Sequence, residues 1–115
     1  MGSPSEGSVI LIRFPFSDLL SAKLRTAVVL ASAGRDDWIL CQVTSNPYAD
    51  PAAVEIANKD FETGSLKRVS YARPGKLFTA NIILMDTEAG KLNGPSFNNI
   101  VRAVIDILQS SIKAE

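Results

Sequence analysis

Histidine is absent from this 115-residue chain. That removes the usual general base near neutral pH and the commonest zinc ligand. Cysteine is nearly absent. Cys41 alone allows no internal disulfide and no cysteine-based zinc site, and it fits a reducing, cytoplasmic setting. A cysteine nucleophile would need a partner base, and no histidine exists to serve. Because Cys41 shares a strand face with Ile39 and Val43, it reads as buried packing. Net charge is also lacking: twelve basic residues cancel twelve acidic ones. This argues against charge-driven coating of nucleic acid but leaves room for a local basic groove. No apolar run approaches the length of a membrane span. The run over 9–12 is too short for a signal peptide, and no small-residue cleavage site follows it. Internal repeats and low-complexity tracts are missing too.

What remains is 46% hydrophobic and 21% charged, a balance that suits one soluble domain with a real core. Residues 1–6 form a polar Gly/Ser/Pro lead-in, expected to fray, and 7–115 form the domain. Residues 8–16 are apolar on both faces, which predicts a central strand ending near Pro15. A loop follows, in which Leu19, Leu20 and Leu24 are apolar enough to pack beneath it or to dock a partner. Strands are expected over 26–32 and 38–44, joined by a turn carrying Gly34, Asp36 and Asp37. Two prolines stop the chain within 46–51, and 53–56 reads as a short edge strand. The polar stretch 58–66 reads as turn. Strands are expected over 69–73 and 76–85, separated by Pro74-Gly75 and with a kink near Ala80-Asn81. Phe97, Ile100, Val101, Val104, Ile105, Leu108 and Ile112 repeat at helical spacing, one apolar face read as core ahead of dimer surface. Asn93 and Pro95 supply its cap and first turn. The sum is a curled, mostly antiparallel sheet with a C-terminal helix packed on it.

Chemistry concentrates where the two central strands meet. Arg25 stands at the start of the first, and Thr44 and Ser45 at the end of the second. In an antiparallel hairpin these lie together, and a fixed cation beside hydroxyl donors suits a phosphate. A basic window lies downstream: Lys67, Arg68, Arg73 and Lys76 fall between Glu62 and Asp86 with no acid among them. Such a window can follow a phosphate backbone, and Tyr71 within it offers a stacking face to a base. Lys23 and Asp18 are charges of the loop before the first of these strands and read as exposed loop charges. Trp38 reads as core.

Four blocks in order make the chain similar to the MazF/PemK toxin ribonucleases of bacterial toxin–antitoxin pairs. They are the opening Gly7-Ser8-Val9-Ile10-Leu11-Ile12 with Phe14-Pro15-Phe16; Leu24-Arg25-Thr26-Ala27-Val28-Val29-Leu30; Gln42-Val43-Thr44-Ser45; and Ser70 through Thr79. The resemblance covers nearly the whole chain from Gly7 to the helix. It implies an SH3-like barrel with a C-terminal helix, of the MazF/PemK/CcdB-like kind. It also implies a cytoplasmic homodimer that cuts single-stranded RNA without metal or other cofactor and is neutralised by a cognate antitoxin. The 2′-hydroxyl would attack, leaving a 2′,3′-cyclic phosphate and a 5′-hydroxyl. Arg25, Thr44 and Ser45 match the catalytic positions, and Arg73, Lys76, Lys23, Tyr71, Lys67 and Arg68 are the expected RNA contacts. The chain departs from the family pattern at three places. Ser8 replaces the usual Asp after the opening glycine, Thr26 replaces the usual Pro after the arginine, and Gly75 stands where many relatives carry an Asp proposed as base. Rival readings are a silent binding module of the same fold for RNA or an antitoxin-like peptide, a toxin aimed at a protein such as gyrase, and an adaptor gripping an extended peptide.

Overall fold

The computed structural model describes residues 2–13 and 23–114. Seven strands form one antiparallel sheet: β1 (Ser8–Arg13), β2 (Leu24–Gly34), β3 (Asp37–Thr44), β4 (Val54–Ile56), β5 (Phe61–Gly64), β6 (Ser70–Asn81) and β7 (Met85–Leu92). Their order across the sheet is β4-β6-β3-β2-β1-β7-β5. Short 3-10 turns at Asn58–Asp60 and Ile82–Leu84 precede β5 and β7. One helix, α1 (Gly94–Gln109), follows. Among the described residues no helix is long and apolar enough to cross a membrane.

The sheet buries side chains on both faces, because its long strands are β-branched and apolar at alternate and intervening positions alike. On one face Val9, Val28, Cys41, Val43, Ile56, Ala72 and Leu92 pack with Ile100 of the helix. On the other Ile10, Ile12, Ala27, Val29, Leu40, Ala80 and Met85 close a second core, walled by Trp38, Phe78, Ile82 and Leu84. Irregular register in four of the strand pairings bends the sheet into half a barrel. The largest irregularity is in β6. Cys41 and Val43, two residues apart on β3, face Leu77 and Ala72, five apart on β6. Residues 73–76 therefore bulge out of the ladder. Pro74, which has no N–H to give, sits buried in that bulge, so the strand runs through it unbroken.

Four expectations need correction. The strands expected over 69–73 and 76–85 join as the single β6 as far as Asn81, because the bulge absorbs Pro74-Gly75 that otherwise reads as a break, and the kink expected near Ala80-Asn81 is the strand's end at the 3-10 turn Ile82–Leu84. Residues 58–66 carry a 3-10 turn and β5, and 85–92 form β7, a strand that periodicity did not reveal. Its outward Asp86, Thr87 and Glu88 leave few apolar residues to alternate. The helical stripe is core only at its start: Ile100 is fully buried, whereas Leu108 is 62% and Ile112 76% exposed, the latter beyond the helix end. The cap is as expected, with the Asn93 side chain accepting from the Ser96 N–H at 2.9 Å. Pro15, Asp18, Leu19, Leu20 and the Phe14 and Phe16 of the opening block lie outside the described residues.

Candidate active site

Strand register builds a row of side chains across five strands. Ile12 is opposite Arg25, Thr44 opposite Tyr71, and Tyr71 opposite Glu55. The β2–β3 pairing ends at Thr26 opposite Val43, and continued by one residue it sets Arg25 opposite Thr44. Directly opposed residues project to one face, so Arg25, Thr44, Tyr71 and Glu55 line up on the face of the second core, beyond its last apolar residue, Ile12. Neighbouring strands lie about 4.8 Å apart, so the row from Arg25 to Glu55 spans about 14 Å. The meeting of Arg25 with the Thr44-Ser45 end thus follows from register. Arg25 is exposed and has no ion-pair partner among the described residues.

The two hydroxyls differ. Thr44 Oγ1 donates its only proton to the Asn46 carbonyl at 3.0 Å and accepts the Asn46 N–H at 3.1 Å. A phosphate oxygen must displace that carbonyl to receive the proton. Ser45 is exposed, with no hydrogen-bond partner for its hydroxyl among the described residues, and so presents a free donor.

The basic window divides. Lys67 and Arg68 line a cleft of about 250 Å³ with Thr26, Thr44, Ser45 and Ser70, on the helix side of the strand ends. Both cations also border a neighbouring cleft of about 450 Å³ that includes Lys59. Arg73, in the β6 bulge, lines neither cleft; it is half-buried, with its Nε–H donating to Asp50 Oδ2 at 3.1 Å. Lys76 is exposed and near enough to stabilise the Asp50 carboxylate electrostatically. Lys23 is exposed just ahead of β2. The row, Ser45 and the Lys67/Arg68 cleft therefore converge on one end of the sheet, while Arg73 and Lys76 flank it.

Arg73 organises the loop that follows Ser45. The Ala52 N–H donates to Asp50 Oδ1 at 3.0 Å, and this bond, then Arg73, hold the Asp50 carboxyl below its ordinary range. The Arg73 guanidinium lies over the Tyr48 ring, 5.5 Å from its centroid. Tyr48 and Ala49 both have positive φ, 52° and 56°, and the Asp50 N–H bonds the Pro47 carbonyl at 2.9 Å. That is the pattern of a type I′ turn, normally given to Asn-Gly. Placing non-glycine residues in such conformations costs about 1–3 kcal/mol each and needs enforcing contacts. Here the Asp50–Arg73 pair and the Tyr48 N–H bond to Asn46 Oδ1 supply them. Tyr48 and Glu55 were not among the residues expected from sequence. An aromatic between two prolines directly after Thr-Ser was the available sign for Tyr48, and the strand register alone brings Glu55 into the row.

Behind the site Cys41 is fully buried, its thiol donating to the Arg73 carbonyl at 3.2 Å. Burial pushes its pKa up to about 12, so it is inert packing, as expected. Among the described residues no three His, Cys, Asp or Glu side chains gather as a metal site requires.

No protein-family model and no curated protein matches the chain. Solved structures do. A MazE–MazF complex from Deinococcus radiodurans superposes with TM-score 0.72 at 13% identity, over 94% of this chain and 98% of that one. MazF alone from the same organism gives 0.72 at 15%, over 95% and 99%. An endoribonuclease bound to its cognate antitoxin, from a mycobacterial species, gives 0.69 at 16%, over 95% and 96%. The half-barrel of seven antiparallel strands with a C-terminal helix is the fold of the MazF toxins.

Proposed function

We propose that the protein is an endoribonuclease toxin that cleaves single-stranded RNA by attack of the 2′-hydroxyl, without metal, and that a cognate antitoxin neutralises it. The observation that carries this reading is the register that sets Arg25 opposite Thr44 beside the free hydroxyl of Ser45, in a fold shared with endoribonucleases. Charge develops on the phosphorane as the 2′-oxygen bonds to phosphorus, losing its proton to solvent, and as the P–O5′ bond breaks, the departing O5′ taking a proton from solvent. Arg25, always protonated, stabilises that charge, and the Ser45 and Thr44 hydroxyls donate to its non-bridging oxygens. Lys67 and Arg68 line the approach on one side, and Lys76, Lys23 and Tyr71 contact the strand on the other. Arg73 contributes through the loop it holds and through the N–H groups of its fork that Asp50 leaves free. The antitoxin partner rests on the complexes formed by neighbours of the same fold.

The test is incubation of a long single-stranded RNA with the protein in EDTA, beside Arg25→Ala and Ser45→Ala. Discrete cuts ending in cyclic phosphate, reduced at least about a hundredfold in Arg25→Ala, are expected. Intact RNA with the folded wild-type protein refutes the reading. A second reading, RNA binding without cleavage, is favoured by the Thr44 proton spent on Asn46 and by glycine at 75. Binding at protein excess with no cut would establish it.

A further inference from the structure

We propose that Tyr48 is a nucleobase-stacking platform, taking the base of a nucleotide next to the phosphate held at Arg25 and Ser45. The inference rests on the nuclease reading above and adds to it a recognition site for a base.

Three observations point to it. One face of the Tyr48 ring is covered by the Arg73 guanidinium, yet the residue is 67% exposed, so the other face is open. A ring backed by a fixed cation, its edge facing water, is the arrangement on which a base stacks. The backbone that carries the ring is also held. Its turn is closed by the Asp50 N–H to Pro47, by the Tyr48 N–H to Asn46, and by the Asp50–Arg73 pair. A pre-ordered turn reduces the freedom lost on binding. Finally, the turn keeps a tyrosine and an alanine where glycine would sit without strain, and it does so four residues past Thr44. Four residues reach at most about 14 Å, so the ring lies within a few nucleotides of that phosphate.

The probe is a single-stranded, fully 2′-O-methylated oligonucleotide carrying 5-iodouridine, which the protein cannot cleave and which crosslinks under light to aromatic rings stacked on the base. The wild-type protein is expected to crosslink through the peptide containing Tyr48. Tyr48→Gly relieves the positive φ and is expected to bind the oligonucleotide about 5- to 100-fold more weakly while its Tm stays level or rises. Tyr48→Phe should recover the binding. Crosslinks confined to other peptides, or equal binding by folded Tyr48→Gly, overturn the platform. Cleavage of unmodified RNA by the wild-type protein is measured alongside. Cleavage with either overturning result refutes the platform alone, whereas crosslinking at Tyr48 without cleavage refutes the nuclease and leaves the platform standing.

Discussion

At the scale of single residues, Cys41 and Gly75 show how much context decides. Cys41 is the only thiol, and its pKa of about 12 follows from burial, outweighing the bond to the Arg73 carbonyl. Native protein at about pH 8 should resist thiol reagents and react fully only once denatured; rapid labelling of the folded protein would contradict its burial. Gly75 lies in the β6 bulge with nothing within 4 Å of the Cβ it lacks. Gly75→Asp should fold with a stability change within about 0.5 kcal/mol. If a carboxylate there accepts the 2′-hydroxyl proton, RNA cleavage rises at least about tenfold; an unchanged rate assigns that proton elsewhere. Asp50 adds a pH dependence. Its folded pKa is depressed by Ala52 and Arg73, so its contribution is present above the ordinary carboxylate range and is lost as pH falls through the depressed value. Wild-type Tm should drop more steeply than that of Asp50→Asn between about pH 5 and about pH 2. That Arg25 meets the Thr44-Ser45 end was legible in the sequence, because hairpin pairing fixes which ends meet. That Thr44 is tied and Ser45 free was not, since it depends on one turn carbonyl.

At the scale of elements, alternation and punctuation account for what could be read. The β2–β3 hairpin, the edge strand β4 and the Asn93 cap each carry a local signal, and each is where the pattern sets it. The β5–β7 pair carries little, because apart from Phe61, Met85 and Leu92 its residues are polar or small and its two backbones approach closely. A Cβ on Gly90 would lie 2.5 Å from the Thr63 carbonyl oxygen and 2.8 Å from the Phe61 ring, in a strand of otherwise ordinary backbone. Gly90→Ala must therefore push β5 away from β7. A loss of about 1–3 kcal/mol is expected in urea unfolding, set against a near-neutral Gly94→Ala, which meets nothing. Equal stability of the two variants would show that β5 yields without cost. The same logic explains the misread β6: a proline breaks a strand only where its N–H is required, and the bulge removes the requirement at Pro74.

At the scale of the whole molecule, the fold closes two cores but leaves one apolar surface uncovered. Leu30, Ala31, Ile39 and Leu77 of the sheet meet Val101, Val104, Ile105 and Leu108 of the helix along a groove of about 230 Å³. Ile105 is 49% exposed and Leu108 62%, and the apolar line continues to Ile112. The C-terminal turns repeat the spacing of the buried first turns but stay in water, and periodicity, which is the same in both, could not divide the stripe. The homodimer that the family resemblance implies would give that surface an occupant, a second copy burying the same residues about a twofold axis. Wild-type protein should then sediment as a dimer at micromolar concentration. Leu108→Lys, placed where the side chain is already mostly in water, should leave helix content by circular dichroism unchanged and shift the protein toward monomer by at least about tenfold in dissociation constant. A wild-type monomer at all concentrations refutes the dimer. A dimer indifferent to Leu108→Lys places the interface on another face.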